Sequence, residues 1–575
     1  MKRLLRINLN DNQYRFEDIM PVYANLGGRG LTSKIVSEEV PAKADPLGKE
    51  NKLVFAPGIL AGTVAPNNGR LSVGAKSPLT GGIKEANTGG AAAQKLARLG
   101  IVGIVVEGIA KDLTILKVTK DGVSFFSAED FKGLGNYKVV ERLKAEHGEG
   151  VAVVSIGSGG ENLFKTATVS VTTPDFKVRM AARGGLGAVM GSKKLKALII
   201  DDAGTTGVEV SDADALREAA GALSKGILSH PLIEGLKQFG TPILVNMINT
   251  AAALPTKNYS MGQFDGAEKI SGEFMVETMS KRPNSQQVHR CMPGCIINCS
   301  NIYTDEDGKE IVSGLEYETI GLIGSNCMIS NLDDIAIINR LCNDIGIDTM
   351  EIGAAIAVAM EAGLLPWGDG KAAYTLIEEA SKGTDKAMIV NGCVATGHKL
   401  GVKRIPAVKG QSLAAYDPRV LKGTGVTYST SPMGADHTCG NALPSPANPE
   451  YNPTVSTGQS QISGFLQWYF AAIDSLGLCL FASLPLLDMP DLQKYLISCA
   501  TAATGQPFDE NYLMKLGISV LKTEKSFNDA AGFTSKDDRL PDFFTKEPLA
   551  PSGLVFDVTE ADLDATLQEV ILIKE

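Results

Sequence analysis

The hexapeptide Asn343-Asp344-Ile345-Gly346-Ile347-Asp348 returns further along the chain as Asp474-Ser475-Leu476-Gly477-Leu478-Cys479. Both copies read Asp or Asn, two residues, Gly, Ile or Leu, then Asp or Cys. Each follows a run with helical periodicity, so Gly346 and Gly477 are expected to end a helix in the left-handed conformation. Asp348 with Glu351 reads as an N-cap and its N3 partner opening the next helix. Helix–helix corners explain both copies structurally. One such corner in each of two successive domains, polar at both ends, also suggests a pseudo-symmetric grip on a doubled ligand, with the Cys479 thiol beside it.

From about Asp212 to Lys409 the pattern around the first corner is helical, as in Ile352–Glu361. One β-hairpin interrupts it: Ile302–Thr304, the turn Asp305-Glu306-Asp307-Gly308, and Lys309–Val312. Upstream lie short β-branched runs, Leu53–Phe55, Ile101–Val106, Leu113–Val118, Val151–Ile156 and Leu195–Ile200, separated by Gly and Asp turns. Residues 425–461 are polar and poorly periodic, which predicts a long active-site loop. The expected fold class is α+β. A strand-rich domain over residues 1–204 precedes two mainly helical domains over residues 205–411 and 412–575.

The 575 residues exceed the roughly 250–300 at which single cores stop growing, so several domains are expected. A formal net charge of −10 argues against nucleic acid or an anionic membrane as partner. The longest apolar stretches, Ile101–Ile109 and Leu476–Leu487, fall short of the ~18 residues of a membrane span. No apolar signal segment follows the basic residues of the N-terminus, so a cytoplasmic location is expected. In that compartment clustered cysteines read first as metal ligands.

Three of the nine cysteines lie within Cys291-Met292-Pro293-Gly294-Cys295-Ile296-Ile297-Asn298-Cys299. A Pro-Gly turn can bend the backbone around a small inorganic core, and three local thiols plus a distant one commonly hold a 4Fe–4S cluster. Zinc is the alternative, although structural zinc sites tend to pair CxxC with a second pair. By spacing alone the fourth thiol is any of Cys327, Cys342, Cys393, Cys439, Cys479 or Cys499. The 62 glycines also cluster early. Asn87-Thr88-Gly89-Gly90 leads into the helix-forming run Ala91–Leu99, a pattern suited to phosphate. Arg183-Gly184-Gly185-Leu186-Gly187 lacks the acidic partner of a dinucleotide fold, but Arg179 and Arg183 beside it favour an anionic ligand.

Taken together, these motifs resemble the aldehyde:ferredoxin oxidoreductase family of tungsten bis-pterin enzymes. The resemblance runs along nearly the whole chain and is most specific at Lys76–Gly81, Arg183–Lys193, the cysteine run and Asp474–Cys479. It implies a strand-rich base under two metallopterins, each gripped by one helical domain through a repeated turn. Asp474, Leu478, Asn343 and Asp348 would then contact pterin. Arg70, Asn87, Gly89, Gly90, Arg179, Arg183, Gly184 and Gly185 would lie at the phosphates, with Mg2+ held by the main-chain carbonyls of Asn87 and Met180. Cys291, Cys295, Cys299 and Cys479 would bind the cluster, and Glu318 and His437 would be the acid/base pair. The chain departs from the family in spacing its first two cysteines one residue further apart, in carrying Asn343 for Asp, and in placing Ile337–Arg340 where an iron-binding ExxH motif at a dimer contact is usual. An oligomer is still expected.

Glu318 sits beside the apolar residues Ile320, Leu322 and Ile323, where partial burial favours a general base; a solvated surface carboxylate fits the sequence equally. His437 lies in the long polar loop, where a structural histidine is the ordinary reading. The resemblance implies aldehyde oxidation to a carboxylic acid at tungsten or molybdenum, with electrons leaving to ferredoxin or a small iron–sulfur subunit. The alternative is the catalytic subunit of an aromatic acyl-CoA reductase on the same fold, in which Cys327 or Cys439 reaches the metal. A non-catalytic electron carrier leaves the paired turns unexplained.

Overall fold

Two copies of one six-stranded plan begin the chain. The computed structural model describes residues 2–445 and 448–573. The first sheet comprises β1 (Arg3–Asn8), β2 (Gln13–Asp18), β3 (Leu53–Pro57), β4 (Leu71–Lys76), β5 (Ile83–Thr88) and β6 (Ile101–Glu107), in the order β2-β1-β6-β3-β4-β5. The second comprises β7 (Thr114–Thr119), β8 (Gly122–Ser127), β9 (Val151–Ser155), β10 (Val169–Thr172), β11 (Val178–Ala181) and β12 (Leu195–Asp201). Its order, β8-β7-β12-β9-β10-β11, repeats the first strand for strand. In each sheet only the pair joining the first and last strands, β1 with β6 and β7 with β12, is parallel. The helices repeat as well: Gly28–Glu39 and Asn136–His147 follow the opening hairpins, and Ala92–Arg98 and Leu186–Ser192 precede the closing strands. Strands β3, β4, β9 and β10 are buried at every residue, which is why their sequences are short runs of small and β-branched residues rather than alternations.

The rest of the chain is mainly helical, as the periodicity predicts. The expected hairpin is present as β14 (Ser300–Thr304) and β15 (Glu310–Ser313), extended by β13 (Gln286–His289). Core membership does not follow chain order. Leu216–Leu236 side chains share a core with Leu466–Leu521, whereas Leu540–Leu563 return to the core built mostly from residues 245–443. Among the described residues no helix is long and apolar enough to cross a membrane.

Two expectations need correction. Residues 425–430 are not loop but the end of the helix Lys422–Thr430, and 459–461 begin the helix Gln459–Leu476. Between them, among the described residues (431–445 and 448–458), the one regular piece is the short 3-10 turn His437–Cys439. Residues 446–447 of the expected loop lie outside the described residues. Every residue of Lys422–Thr430 is buried. A helix enclosed on all sides has no solvent face to set against an apolar one, and this one buries Thr424, Thr427, Ser429 and Thr430 as well, so it gives no 3.6-residue signal. The second correction is Glu351. Asp348 does cap its helix, accepting from the Met350 N–H at 3.0 Å, but Glu351 does not complete a capping box. The Asp348 N–H donates to the Thr166 carbonyl, and the buried Glu351 carboxylate instead accepts the N–H groups of Cys393 and Ser412 at 3.0 and 2.8 Å.

Candidate functional site

Each repeated turn docks on the same place in its own sheet. In the first, Gly346 ends the helix Leu332–Ile345 at φ +79°; its carbonyl accepts the Thr168 N–H, and the Asp348 N–H reaches the Thr166 carbonyl, both at 2.9 Å. In the second, Gly477 ends Gln459–Leu476 at φ +75°; its carbonyl accepts the Arg70 N–H at 3.2 Å, and the Cys479 N–H reaches the Asn67 carbonyl at 2.8 Å. Thr168 and Arg70 stand just before the equivalent strands β10 and β4. Glycines after β9 and β3 allow the approach: a Cβ on Gly157 would lie 2.2 Å from the Ile345 carbonyl oxygen, and one on Gly58 would lie 2.2 Å from the Gly477 Cα.

Polar side chains gather around both turns. Asn87 links the strand-rich half to the second turn, its Nδ2 donating to Asp474 Oδ1 at 3.1 Å while its Oδ1 accepts from Arg70 Nε at 2.6 Å. Arg29, 1% exposed, contacts Asp474 Oδ2 at 3.4 Å and is held by a bidentate pair with the buried Glu524. Burial pushes Asp474 up to about 6, against the opposing charges of Arg29 and Arg70. The neighbouring Glu85 is pushed up to about 8 by burial and by Asp474. At the first turn Asp348 is likewise raised by burial, with Arg183 Nε at 3.5 Å opposing the shift. Arg183 Nη1 donates to the Ala435 carbonyl and Nη2 to Ser412. Asn343 accepts from Asn136 Nδ2 through its carbonyl at 2.8 Å.

Four thiols meet beneath the second turn. A Cβ on Gly89 would lie 3.0 Å from Cys291 Sγ, so the wall after β5 presses directly on the cysteine run. Cys291 is pushed down to about 6 by its hydrogen bond with Cys295, helped by Arg179 and Arg70. Cys295 is raised by the same bond and by burial. Burial raises Cys299 and Cys479. Among the described residues no three His, Cys, Asp or Glu side chains are arranged to hold a metal ion. A polynuclear cluster sits between its thiolates rather than at their common point, so its ligands stand wider apart than those of one zinc.

Glu318 lies in the helical turn Tyr317–Thr319, which runs into the wide turn Ile320–Gly324; such π-type turns occur often at functional sites. Its Oε2 accepts the Ala415 N–H at 2.8 Å, and its Oε1 stands 3.3 Å from His437 Nε2. The geometry of that second contact is not that of a hydrogen bond: Glu318 Oε1 and His437 Nδ1 are both buried without a hydrogen-bond partner. His437 is further fixed by the Tyr416 ring, 5.8 Å away centroid to centroid.

One cavity of about 1610 Å³ brings most of these groups together. Arg70, Gly89, Arg179 and Met180 line it from the sheets, Asn343 from the first turn, and Cys291, Cys299 and Cys479 from the cysteine cluster. Glu318 and His437 face it, with Tyr416 and Asn441. Asn87, Arg183, Asp348, Asp474, Leu478 and Cys295 are not on its lining. Leu478 is core, and Gly90, Gly184 and Gly185 pack against Val171, Lys84 and the Lys165 carbonyl rather than facing the cavity. Around this cavity Arg179 Nε, Asn339 Oδ1, Glu318 Oε1 and His437 Nδ1 are buried polar atoms without partners. Several such orphans on one large cavity, with the three thiols Cys291, Cys299 and Cys479 on its lining, fit a bulky polar cofactor that supplies the missing hydrogen bonds. Neither alternative thiol reaches it: Cys327 donates to the carbonyls of Leu322 and Gly353, and Cys439 lies behind Arg29.

Sequence reading missed Arg29, Glu85, Tyr416 and Glu524. Arg29 stood in the conspicuous Gly27-Gly28-Arg29-Gly30, but nothing local points to partners at Asp474 and Glu524, hundreds of residues away.

Comparison with known proteins adds to this geometry. The family model described as aldehyde ferredoxin oxidoreductase, N-terminal domain, matches residues 4–202, and that for domains 2 and 3 matches residues 218–570. The tungsten-containing aldehyde ferredoxin oxidoreductase of Thermococcus kodakarensis is 33% identical and that of Pyrococcus furiosus 32%, each alignment covering 96% of this chain and 92% of the relative. Among solved structures, the active-site complex of benzoyl coenzyme A reductase with 1,5-dienoyl-CoA superposes with a TM-score of 0.79, covering 100% of this chain and 99% of that one at 18% identity, a likeness of fold.

Proposed function

Because the chain belongs to the aldehyde ferredoxin oxidoreductase family, a family of oxidoreductases, we propose that it oxidises an aldehyde and water to a carboxylic acid, releasing two electrons and two protons to ferredoxin or a small iron–sulfur partner. The observation that carries this reading is Glu318 and His437 at 3.3 Å on the cavity that also receives Asn343 and the cluster thiols.

Asn343 and Asp348 would hold one pterin and Asp474, with Leu478, the other. Arg70, Asn87, Gly89, Gly90, Arg179, Met180, Arg183, Gly184 and Gly185 would surround the phosphates and Mg2+, and Cys291, Cys295, Cys299 and Cys479 would hold a 4Fe–4S cluster. When bound, the tungsten or molybdenum bis-pterin supplies two-electron oxidation and the cluster an exit for single electrons.

The chain's own part is proton handling and orientation. The Ala415 N–H holds Glu318 Oε2, leaving Oε1 to take a proton from the attacking water. His437 Nε2, on the same side, donates to the carbonyl oxygen as negative charge develops there. Leu236, Leu244, Met247, Phe465, Phe481 and Leu484 line the other arm of the cavity and exclude water from an apolar aldehyde.

Anaerobic protein should reduce a viologen with benzaldehyde and not with an acyl-CoA. Replacing Glu318→Gln should lower kcat by about 10²–10⁴, the usual contribution of general base catalysis. Full turnover in that variant removes Glu318 from the mechanism.

A further inference from the structure

Asn67 lies in the connection between β3 and β4, three residues before Arg70, and is fully buried. All four of its polar groups are spent on the cysteine site. Its N–H donates to the Gly294 carbonyl at 3.1 Å, and its carbonyl accepts the Cys479 N–H at 2.8 Å. Its Oδ1 accepts the Ile296 N–H at 3.1 Å, and its Nδ2 donates to Cys295 Sγ at 3.5 Å. One residue thus touches both flanks of Cys295, the sulfur of Cys295 and the backbone of Cys479, the main chain reaching Gly294 and Cys479 and the side chain reaching Ile296 and Cys295 Sγ. Those two cysteines are far apart in sequence and arrive on different elements.

The backbone is committed to this task. Asn67 sits at φ +54°, in the left-handed region that non-glycine residues rarely enter and that Asn tolerates best. That conformation lets the main-chain N–H and C=O point to two different segments while the side chain turns to a third. Cys295 Sγ also accepts the Asn298 N–H at 3.3 Å, so the Asn67 amide adds a second N–H to one sulfur.

Resting on the reading of these thiols as cluster ligands, we propose that Asn67 is a positioning residue for the cluster: it sets the separation of Cys295 from Cys479 and raises the cluster's reduction potential through its N–H···S bond. Hydrogen bonds to the sulfurs are among the terms that set such potentials. A donor stabilises the extra negative charge of the reduced state, so removing it lowers the potential.

The test is a redox titration followed by EPR on the anaerobically purified holoprotein, with iron content measured in parallel. Asn67→Asp keeps the Oδ acceptor for Ile296 and the left-handed backbone but has no amide donor and adds negative charge. Iron content is expected to stay at the parent level while the ratio of reduced to oxidised cluster at fixed potential falls about tenfold, equivalent to about 59 mV for one electron. Asn67→Gly keeps both main-chain bonds and loses both side-chain bonds; iron content should fall, because the Cys295 flank is released. Asn67→Gln, which restores an amide, should recover part of the potential. An unchanged midpoint and EPR signature in Asn67→Asp with full iron overturns the proposal, and so does full iron with the parent midpoint in Asn67→Gly. A parent protein without any iron–sulfur signal instead overturns the cluster assignment.

Discussion

Asp348 and Cys479 occupy the same position in two turns of the same shape, each docked by the same pair of backbone bonds on the equivalent place of a duplicated sheet. What surrounds them differs. Behind Asp348 lie Arg183 and the buried Glu351, so that turn ends in a charged network. Behind Cys479 lie Asn67 and the cysteine run, so its counterpart ends in thiols. A duplicated scaffold thus presents two similar grips with different surroundings, charged behind Asp348 and thiol-lined behind Cys479, and under the proposed function only the second would adjoin a redox exit.

Swapping that residue breaks the comparison most sharply. Cys479→Ser should strip most of the iron and reduce viologen-linked turnover by more than the ~10–100-fold that loss of an outer-shell partner costs. Asp348→Ala should leave iron untouched and remove an N-cap, costing about 1 kcal/mol of stability. Iron analysis and thermal melts of the two variants separate these outcomes. Equal iron loss in both would mean that the turns are not functionally distinct.

The docking glycines sharpen it next. A Cβ at either Gly58 or Gly157 would stand 2.2 Å from backbone of its turn, so both Gly→Ala variants should lose about 1–3 kcal/mol by overpacking. Denaturant unfolding should find the two similar, whereas iron content should fall only for Gly58→Ala, whose turn carries Cys479.

A pH-dependent effect concerns the carboxyl pair at the second turn. Glu85 is raised from 4.5 to about 8 by burial and by Asp474. The folded protein therefore holds a proton that the unfolded chain releases, and Glu85 stabilises the fold below pH 4.5 and loses that contribution as pH rises to about 8. Glu85→Gln, which mimics the protonated acid, should gain melting temperature relative to the parent across that window, with the gap widening as pH rises. A gap that shrinks toward pH 8 would place the pair in the ionised state.

What was legible in the sequence is what is local. Gly346 and Gly477 could be read as helix ends because the left-handed requirement belongs to the residue itself, and the cysteine run could be picked out as a candidate site because its three thiols are neighbours in sequence. Glu351 was misread because the two N–H groups that claim it come from Cys393 and Ser412, on segments brought near only by packing. The duplication of the sheets was not read, since strand order is kept mostly by burial and pairing and the equivalent docking glycines, Gly58 and Gly157, are two among many. Asn67 was invisible for the same reason: each of its partners lies more than 200 positions away.

The central claim is a metallopterin oxidoreductase with one iron–sulfur exit, and elemental analysis of anaerobically purified protein tests it most directly. About four irons, with one tungsten or molybdenum and organic phosphate per chain, is the expected result. Zinc alone, with neither iron nor organic phosphate, would contradict it.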